Sequence, residues 1–160
     1  MASLSVSIQA EDFDIGQEHQ ALRAQDERVG AVCSFLGTVR SQNDGLPVTA
    51  MALEHYPGMT EKAIIAMLSQ AQDKFDIYAA RVIHRIGDLM PGDQIVWVGV
   101  TSAHRGQSFQ ACEFLIDYLK TQAPFWKKEQ TPSGARWVDA RVSDDDALSR
   151  WGIQVPRQAI

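Results

Sequence analysis

The sequence is poor in cysteine and has no long apolar run. Cys33 and Cys112 are its two cysteines and form no CxxC pair, so neither a disulfide framework nor a cysteine-ligated metal site is expected. No apolar stretch approaches the roughly 18 residues that a membrane-spanning helix requires. The N-terminus lacks a basic region followed by a continuous apolar stretch, the pattern that marks a protein for secretion. These absences favour a cytoplasmic protein with reduced cysteines.

Several catalytic motifs are missing as well. The chain contains no GxxxxGK[ST] phosphate loop, no GxGxxG dinucleotide fingerprint, no HExxH zinc motif and no GxSxG nucleophile turn. Four histidines are scattered without the spacing of metal ligands: His19, His55, His84 and His104. Both cysteines lie in apolar patterns typical of packing residues. We therefore expect neither a bound metal nor a cofactor.

Acidic residues outnumber basic ones, and the excess is uneven along the chain. The formal net charge is −5, with −6 carried by residues 1–100 and +2 by residues 101–143. Such a chain lacks the broad basic surface that nucleic-acid binding requires, so a general nucleic-acid binder is not expected. A local excess of cations can instead select a small anion.

The hydrophobic pattern predicts one domain in which strands and helices alternate. It predicts a helix capped by Thr60, a strand pair flanking the MPGDQ turn, and a second helix broken before Ala123 by Pro124. The segment ARWVDARV is expected to add a closing strand, and DDDALSRW a short helix. A chain of 160 residues suits a single α+β domain with its own core.

Cationic side chains lie at the ends of these predicted elements. Arg40 follows a strand, and His104 and Arg105 stand before a helix whose free N–H groups can hold an anion. Three of the five lysines follow within nine residues: Lys120, Lys127 and Lys128. Arginine suits the paired oxygens of phosphate or carboxylate, whereas lysine supplies a point charge or, once deprotonated, a nucleophilic amine. The pattern is typical of an anion-handling active site.

Each of these residues also has a simpler explanation. Arg40 and Arg105, taken singly, are more typical of solvated cations at element ends. Lys120 is placed to pair with Asp117 three residues earlier, which would contribute only about 0.2–0.5 kcal/mol to stability. The PFWKK run is compatible with a turn whose aromatic rings dock in the core while its lysines stay solvated. Residue types alone favour these simpler explanations.

Six sequence blocks, taken in order, change that balance. They are FLGTVR, LEHYPGMTEKA, HRIGDLMPGD, VGVTSAHR, DYLKTQAPFWKKE and RWVDAR. Together they closely resemble the large, catalytic subunit of molybdopterin synthase over residues 5–151. The resemblance implies a single-domain α+β fold of the hammerhead type for residues 1–151, with an antiparallel or mixed sheet and flanking helices. Residues 152–160 lie outside it and are expected to form a loosely ordered C-terminal tail.

The resemblance implies a sulfurtransferase of molybdenum cofactor biosynthesis. Two sulfurs would pass from the thiocarboxylated C-terminus of a small ubiquitin-like subunit to cyclic pyranopterin monophosphate, forming the dithiolene of molybdopterin. The family also implies a homodimer of large subunits, each binding one small subunit, which makes a heterotetramer. Because the substrate and the sulfur donor are both anions, this reaction accounts for the local excess of cations.

The same resemblance assigns roles to particular residues. Lys120 matches the essential lysine, which forms a covalent link to substrate or partner, and Lys127 matches a second active-site lysine. Six further residues are implied to bind substrate or to supply supporting charge: Arg40, His104, Arg105, Lys128, Phe35 and Arg141. Of these, Arg40, His104 and Arg105 are implied to hold the phosphate and the pterin, with some of them reaching in from the neighbouring subunit.

Two alternatives from other functional classes stay open. A non-catalytic dimeric domain that binds a small anion would use the same arginines and histidine, but it would tolerate Lys120→Arg because it needs no deprotonated lysine. A single-stranded RNA binder would stack bases on Phe125 and Trp126, which fits PFWKK but not the acidic composition. Strong salt dependence of RNA affinity would favour the second alternative.

Overall fold

The computed structural model describes residues 1–138 and 142–153 of the chain. The elements follow one another in this order: β1 (Ser3–Gln9), α1 (Ile15–Arg23), β2 (Ala31–Thr38), β3 (Gln42–Asn43), β4 (Leu46–Pro47), β5 (Ala50–His55), α2 (Met59–Lys74), β6 (Ala79–Arg85), β7 (Gly87–Leu89), β8 (Gln94–Ser102), α3 (Arg105–Gln122), β9 (Phe125–Thr131), β10 (Gly134–Val138) and α4 (Val142–Ser149). Strands and helices interleave as the sequence predicts, and the expected α+β class is confirmed.

The first sheet has four strands in the order β1-β6-β8-β2. Strand β6 pairs antiparallel with β8, which confirms the strand pair predicted on either side of the MPGDQ turn, and β1 adds in parallel to β6. Helix α1 packs on one face of this sheet, and α2 and α3 pack on the other. No helix in the described part of the chain is long and apolar enough to cross a membrane.

The main core lies between the first sheet and the helices α2 and α3. Two residues of α2, Ile64 and Leu68, are fully buried there in one cluster with Val98 of β8 and Phe114 of α3. Burial of each such side chain contributes about 1.5–3 kcal/mol to folding, so this layer fixes how the helices sit on the sheet. The orientation of α3, which carries candidate residues at both ends, is set by this packing.

The start of α2 differs from the prediction. Gly58 rather than Thr60 precedes the helix, and its N–H donates to the Glu61 carboxylate at 2.6 Å. Thr60 is buried in the first turn, where its hydroxyl accepts from the Tyr56 N–H at 3.0 Å and donates to the Pro124 carbonyl at 3.0 Å. The residue predicted as a helix cap therefore joins α2 to the segment that follows α3.

The second sheet has the order β10-β9-β5-β7. Its strand β9 contains the PFWKK lysines, so the alternative interpretation of that run as a turn is wrong. Burial alternates along β9, so Phe125, Lys127 and Glu129 share the inner face while Trp126 and Lys128 lie on the outer one. Residues 135–138 of the predicted closing strand belong to β10, whereas its residues 139–141 lie outside the described part of the chain. The predicted short helix is present as α4, which begins two residues earlier than predicted.

Candidate active site

The site begins at the corner between α3 and β9. Lys120 lies in the last turn of α3, and the helix stops at Ala123 because Pro124 disfavours helical backbone in the residue before it. The chain then enters β9 at Phe125, so Lys120 and Lys127 lie on the two arms of one corner. The hydrogen bond from the Thr60 hydroxyl to the Pro124 carbonyl fixes this corner against α2.

Lys120 is exposed and makes no hydrogen bond or ion pair with any residue of 1–138 or 142–153. The simpler explanation of this residue, an ion pair with Asp117, is not realised. Asp117 instead accepts a hydrogen bond from the Trp151 indole Nε1 at 2.8 Å, and its carboxylate lies 3.8 Å from Nη2 of Arg150. The Lys120 amine is therefore available to a ligand.

Beside this corner lies His84, a buried histidine of β6. Its ring stacks on Phe125 with centroids 3.9 Å apart, and its Nδ1 lies 2.9 Å from the Arg85 carbonyl. Because a carbonyl oxygen can only accept, Nδ1 carries the proton and Nε2 keeps a lone pair.

Burial lowers the pKa of His84 to about 4, against the opposing effect of its bond to the Arg85 carbonyl. Electrostatic interaction with the Lys120 ammonium and with His55 lowers that pKa further. The His84 imidazole is therefore neutral near pH 7 and lies close enough to Lys120 for the two groups to interact electrostatically.

Lys127 lies between Phe125 and Glu129 on the inner face of β9, about 7 Å along the strand from each. Glu129 is 2 % exposed, and its Oε1 accepts a hydrogen bond from the Asn43 amide. The Asn43 Oδ1 in turn lies 3.5 Å from Nη2 of Arg40. A short polar chain therefore connects Arg40 to the sheet face that carries Lys127.

The other predicted cations lie at the opposite end of α3. His104 immediately precedes the helix and Arg105 is its first residue, and both are exposed. Fifteen residues separate Arg105 from Lys120, which at 1.5 Å per residue places their backbones about 22 Å apart. Within one chain, the structure does not bring these two groups of residues together.

The N-terminal end of α3 is open to a ligand. The His104 side chain makes no capping hydrogen bond, so the first N–H groups of the helix are not covered by it. The Ser102 hydroxyl donates to the His104 carbonyl at 2.5 Å and fixes the turn. A Cβ atom on Gly30 would lie 2.3 Å from the Ala103 carbonyl oxygen, so this position requires glycine for the close approach of the two backbones.

Three candidates remain. Lys128 faces the outer side of the second sheet, away from Lys127, with its Nζ 5.6 Å from the centroid of the Trp137 ring. Phe35 is half-buried and packs against the main core. Arg141 lies outside the described residues. The resemblance alone supports a substrate role for Phe35 and Arg141.

The cysteines lie in the main core. Cys112 is buried, and burial raises the pKa of its thiol well above the ordinary value, while the half-buried Cys33 packs against the same cluster. Both are free thiols. Their surroundings are typical of packing residues, as the sequence predicts.

An open cleft of about 530 Å³ lies on the α1 side of the first sheet, the side opposite Lys120. Its lining carries three carboxylates, from Asp12, Asp14 and Glu18. Two of these carboxylates are paired with arginines, Glu18 with Arg81 at 3.1 Å and Asp12 with Arg85 at 3.8 Å. The lining residues include no cation, so the cleft offers no partner to an anionic substrate.

Three residues near the corner were not identified from the sequence: His84, Asn43 and Glu129. The alternation of FWKKE along a strand would have placed Glu129 on the same face as Lys127, had that run been assigned to a strand. No local pattern indicates that Asn43 meets Glu129, because 86 residues separate them.

Comparison with known proteins agrees with this architecture. The family model described as MoaE protein matches residues 8–122. The molybdopterin synthase catalytic subunit of Ralstonia nicotianae is 60 % identical over 149 residues, which cover 93 % of this chain and 85 % of that protein. The corresponding protein of Escherichia coli is 52 % identical over 151 residues, covering 94 % of this chain and all of that one.

Solved structures extend the similarity to the fold. A molybdopterin biosynthesis MoaE protein from Burkholderia ambifaria superposes with a TM-score of 0.81 at 52 % identity, over 96 % of this chain and 100 % of that one. A structure from Helicobacter pylori, described as a complex of subunits 1 and 2 of molybdopterin-converting factor, has a TM-score of 0.67 at 20 % identity, over 86 % of this chain and 91 % of that one. At that identity the second comparison shows the fold alone.

Proposed function

The chain belongs to the MoaE protein family and catalyses sulfur transfer as the large subunit of a molybdopterin synthase, and on this premise we propose which residues carry the reaction. Lys120 forms the covalent link to substrate or partner, and Lys127 stabilises the negative charge that develops beside it. The observation that carries this assignment is the exposed Lys120 amine, which lacks an ion-pair partner in the described part of the chain and lies on the same corner as Lys127.

Arg40, His104 and Arg105 bind the anionic groups of the substrate, cyclic pyranopterin monophosphate. A guanidinium offers two parallel N–H donors to a phosphate, and the open start of α3 adds backbone N–H groups beside Arg105. Hydrogen bonds through Asn43 and Glu129 connect Arg40 to the inner face of the second sheet, which carries Lys127. Phosphate and pterin are thereby held while the lysines act on the reacting atoms.

The complete site combines residues of two chains. The backbones of Arg105 and Lys120 lie about 22 Å apart at opposite ends of α3, so a compact site that holds both takes them from different chains. A two-fold homodimer would place the N-terminal end of one α3 near the corner of the other and would repeat the arrangement at a second site.

The sulfur donor is a small ubiquitin-like subunit with a thiocarboxylated C-terminus, as the resemblance in sequence implies. A flexible C-terminal tail fits an open site on the surface better than an enclosed cavity. Docking of that tail would bury Lys120, and removal of water favours the neutral amine that a covalent step requires.

The test mixes the protein with a thiocarboxylated small subunit and the pyranopterin substrate, and follows the dithiolene product by mass spectrometry. Wild type should give product, and Lys120→Arg should give at least about a thousandfold less, because a guanidinium cannot serve as a neutral nucleophile. The matched control is Lys62→Arg, which makes the same substitution at an exposed lysine of α2 and should retain full activity. Equal product from Lys120→Arg and wild type would refute the assignment and favour the small-anion-binding alternative.

A further inference from the structure

Asn43 touches three charged side chains although it belongs to no predicted site. Its amide donates to Oε1 of Glu129, and its Oδ1 accepts from Nη2 of Arg40 at 3.5 Å. Its backbone carbonyl accepts from Nη2 of Arg136 at 3.2 Å. Asn43 is 6 % exposed and Glu129 is 2 % exposed, so the bond between them is largely closed to water, whereas Arg40 is exposed.

The hairpin of β3 and β4 holds Asn43 in place. Its two-residue turn has positive φ at Asp44 (53°) and Gly45 (76°), the geometry that tight hairpins favour. Gln42 and Asn43 occupy the same short strand, yet Gln42 is exposed and Asn43 is buried against β9. The hairpin therefore presents one side chain inward at a fixed position.

The amide group suits this position because it donates and accepts at once. A carboxylate such as Glu129 only accepts and a guanidinium only donates, so a side chain that bridges the two needs both functions. Within residues 1–138 and 142–153, Asn43 is the one hydrogen-bond partner of Arg40.

Glu129 needs the same bond. Its Oε2 is buried without a hydrogen-bond partner in the described part of the chain and lies 3.9 Å from Nη2 of Arg136. Loss of the Asn43 amide would leave both carboxylate oxygens without a short hydrogen bond, which is costly for a buried charge.

We propose that Asn43 is a positioning residue for sulfur transfer, which orients the Arg40 guanidinium toward the face that carries Lys127. The inference rests on the proposed function, in which Arg40 holds an anionic group of the substrate. An exposed arginine without this contact samples many rotamers, and binding must then restrict them. Because Arg40 acts on substrate binding, loss of Asn43 should raise KM and leave kcat nearly unchanged.

The experiment is a double-mutant cycle on steady-state sulfur transfer with Asn43→Ala, Arg40→Ala and the double variant. Asn43→Ala should raise KM for the pterin substrate about tenfold with kcat within about twofold of wild type. The double variant should be no worse than Arg40→Ala, because Asn43 acts through Arg40. The matched control is Gln42→Ala, which changes the exposed neighbour and should leave KM unaltered.

A pair of substitutions that exchanges the donor and the acceptor, called here the reversed pair, keeps the test decisive if Asn43→Ala does not fold. Asn43→Asp alone places a second carboxylate against Glu129 and should raise KM. When Asn43→Asp is combined with Glu129→Gln, residue 129 donates the hydrogen bond and residue 43 accepts it. KM of this pair should return to within about threefold of wild type. Multiplicative effects of Asn43→Ala and Arg40→Ala, or no recovery in a folded reversed pair, would overturn the proposal. Failure of the proposed function itself would differ, since wild type would then give no product.

Discussion

The two ends of α3 carry candidate residues in contrasting surroundings. At the C-terminal end, Lys120 belongs to a corner fixed by the Thr60 hydroxyl and by the stack of His84 on Phe125. At the N-terminal end, His104 and Arg105 are exposed and the helix start lacks a side-chain cap. In the proposed function the first end carries out the chemistry and the second binds an anion, and a complete site takes one end from each of two chains.

The largest expected effect follows from this division between chains. Lys120→Ala and Arg105→Ala should each nearly abolish product formation when tested alone. After the two variants are unfolded and refolded together in equal amounts, random pairing should restore about a quarter of the wild-type sites, because half of the dimers carry one intact site out of two. The measurement is dithiolene formation by the mixture, normalised to wild type refolded in the same way.

The control for complementation is a mixture of Lys120→Ala with Lys127→Ala. Both lysines lie on the same corner of one chain, so no pairing rebuilds an intact site and the mixture should stay inactive. Recovery of activity in this control mixture would contradict the assignment of the two ends to different chains. The absence of recovery in the mixture of Lys120→Ala with Arg105→Ala would contradict it as well.

The second prediction concerns the free energy of unfolding, whose dependence on pH should distinguish the two ends of α3. The folded pKa of His84 is about 4 and the ordinary value is 6.5, so the unfolded chain binds a proton there first as the pH falls. The contribution of His84 to the free energy of unfolding should therefore drop by up to about 3 kcal/mol between pH 6.5 and 4, and change no further below that range.

Urea unfolding across this pH range checks the effect of His84. His84→Phe keeps an aromatic ring to stack on Phe125 and should lose this component of the pH dependence. His104→Asn, at the other end of α3, leaves His84 and its neighbours unchanged and should keep it. An unchanged pH dependence in His84→Phe would show that another group is responsible.

The smallest expected effect concerns the two neighbouring lysines of β9. Lys128→Ala removes a cation from above the Trp137 ring on the outer face and should cost at most about 1 kcal/mol of stability, with kcat/KM within about twofold. Lys127→Ala, on the inner face, should lower kcat/KM by about a hundredfold or more. Kinetic measurements on both variants test whether the two faces of the sheet contribute differently to catalysis. Equal losses of kcat/KM would argue against such a difference.

Much of the fold could be predicted because its signals are local. The apolar spacing of α2 and the alternation in β6 and β8 reflect the periods of helix and strand, and both predictions are confirmed. Thr60 was misassigned because a buried threonine and a capping threonine look alike in sequence. The PFWKK run was ambiguous because its inner face mixes Lys127 with Phe125, which hides the alternation.

The sequence by itself determined the elements, the position of cations at their ends and, through six ordered blocks, the family. Only the tertiary structure decided that Arg105 and Lys120 lie at opposite ends of one helix, and that Asn43 reaches Glu129 across 86 residues. The physical reason is that periodicity acts over a few residues along the chain. The meeting of distant side chains depends instead on how sheets and helices pack, which no local pattern encodes.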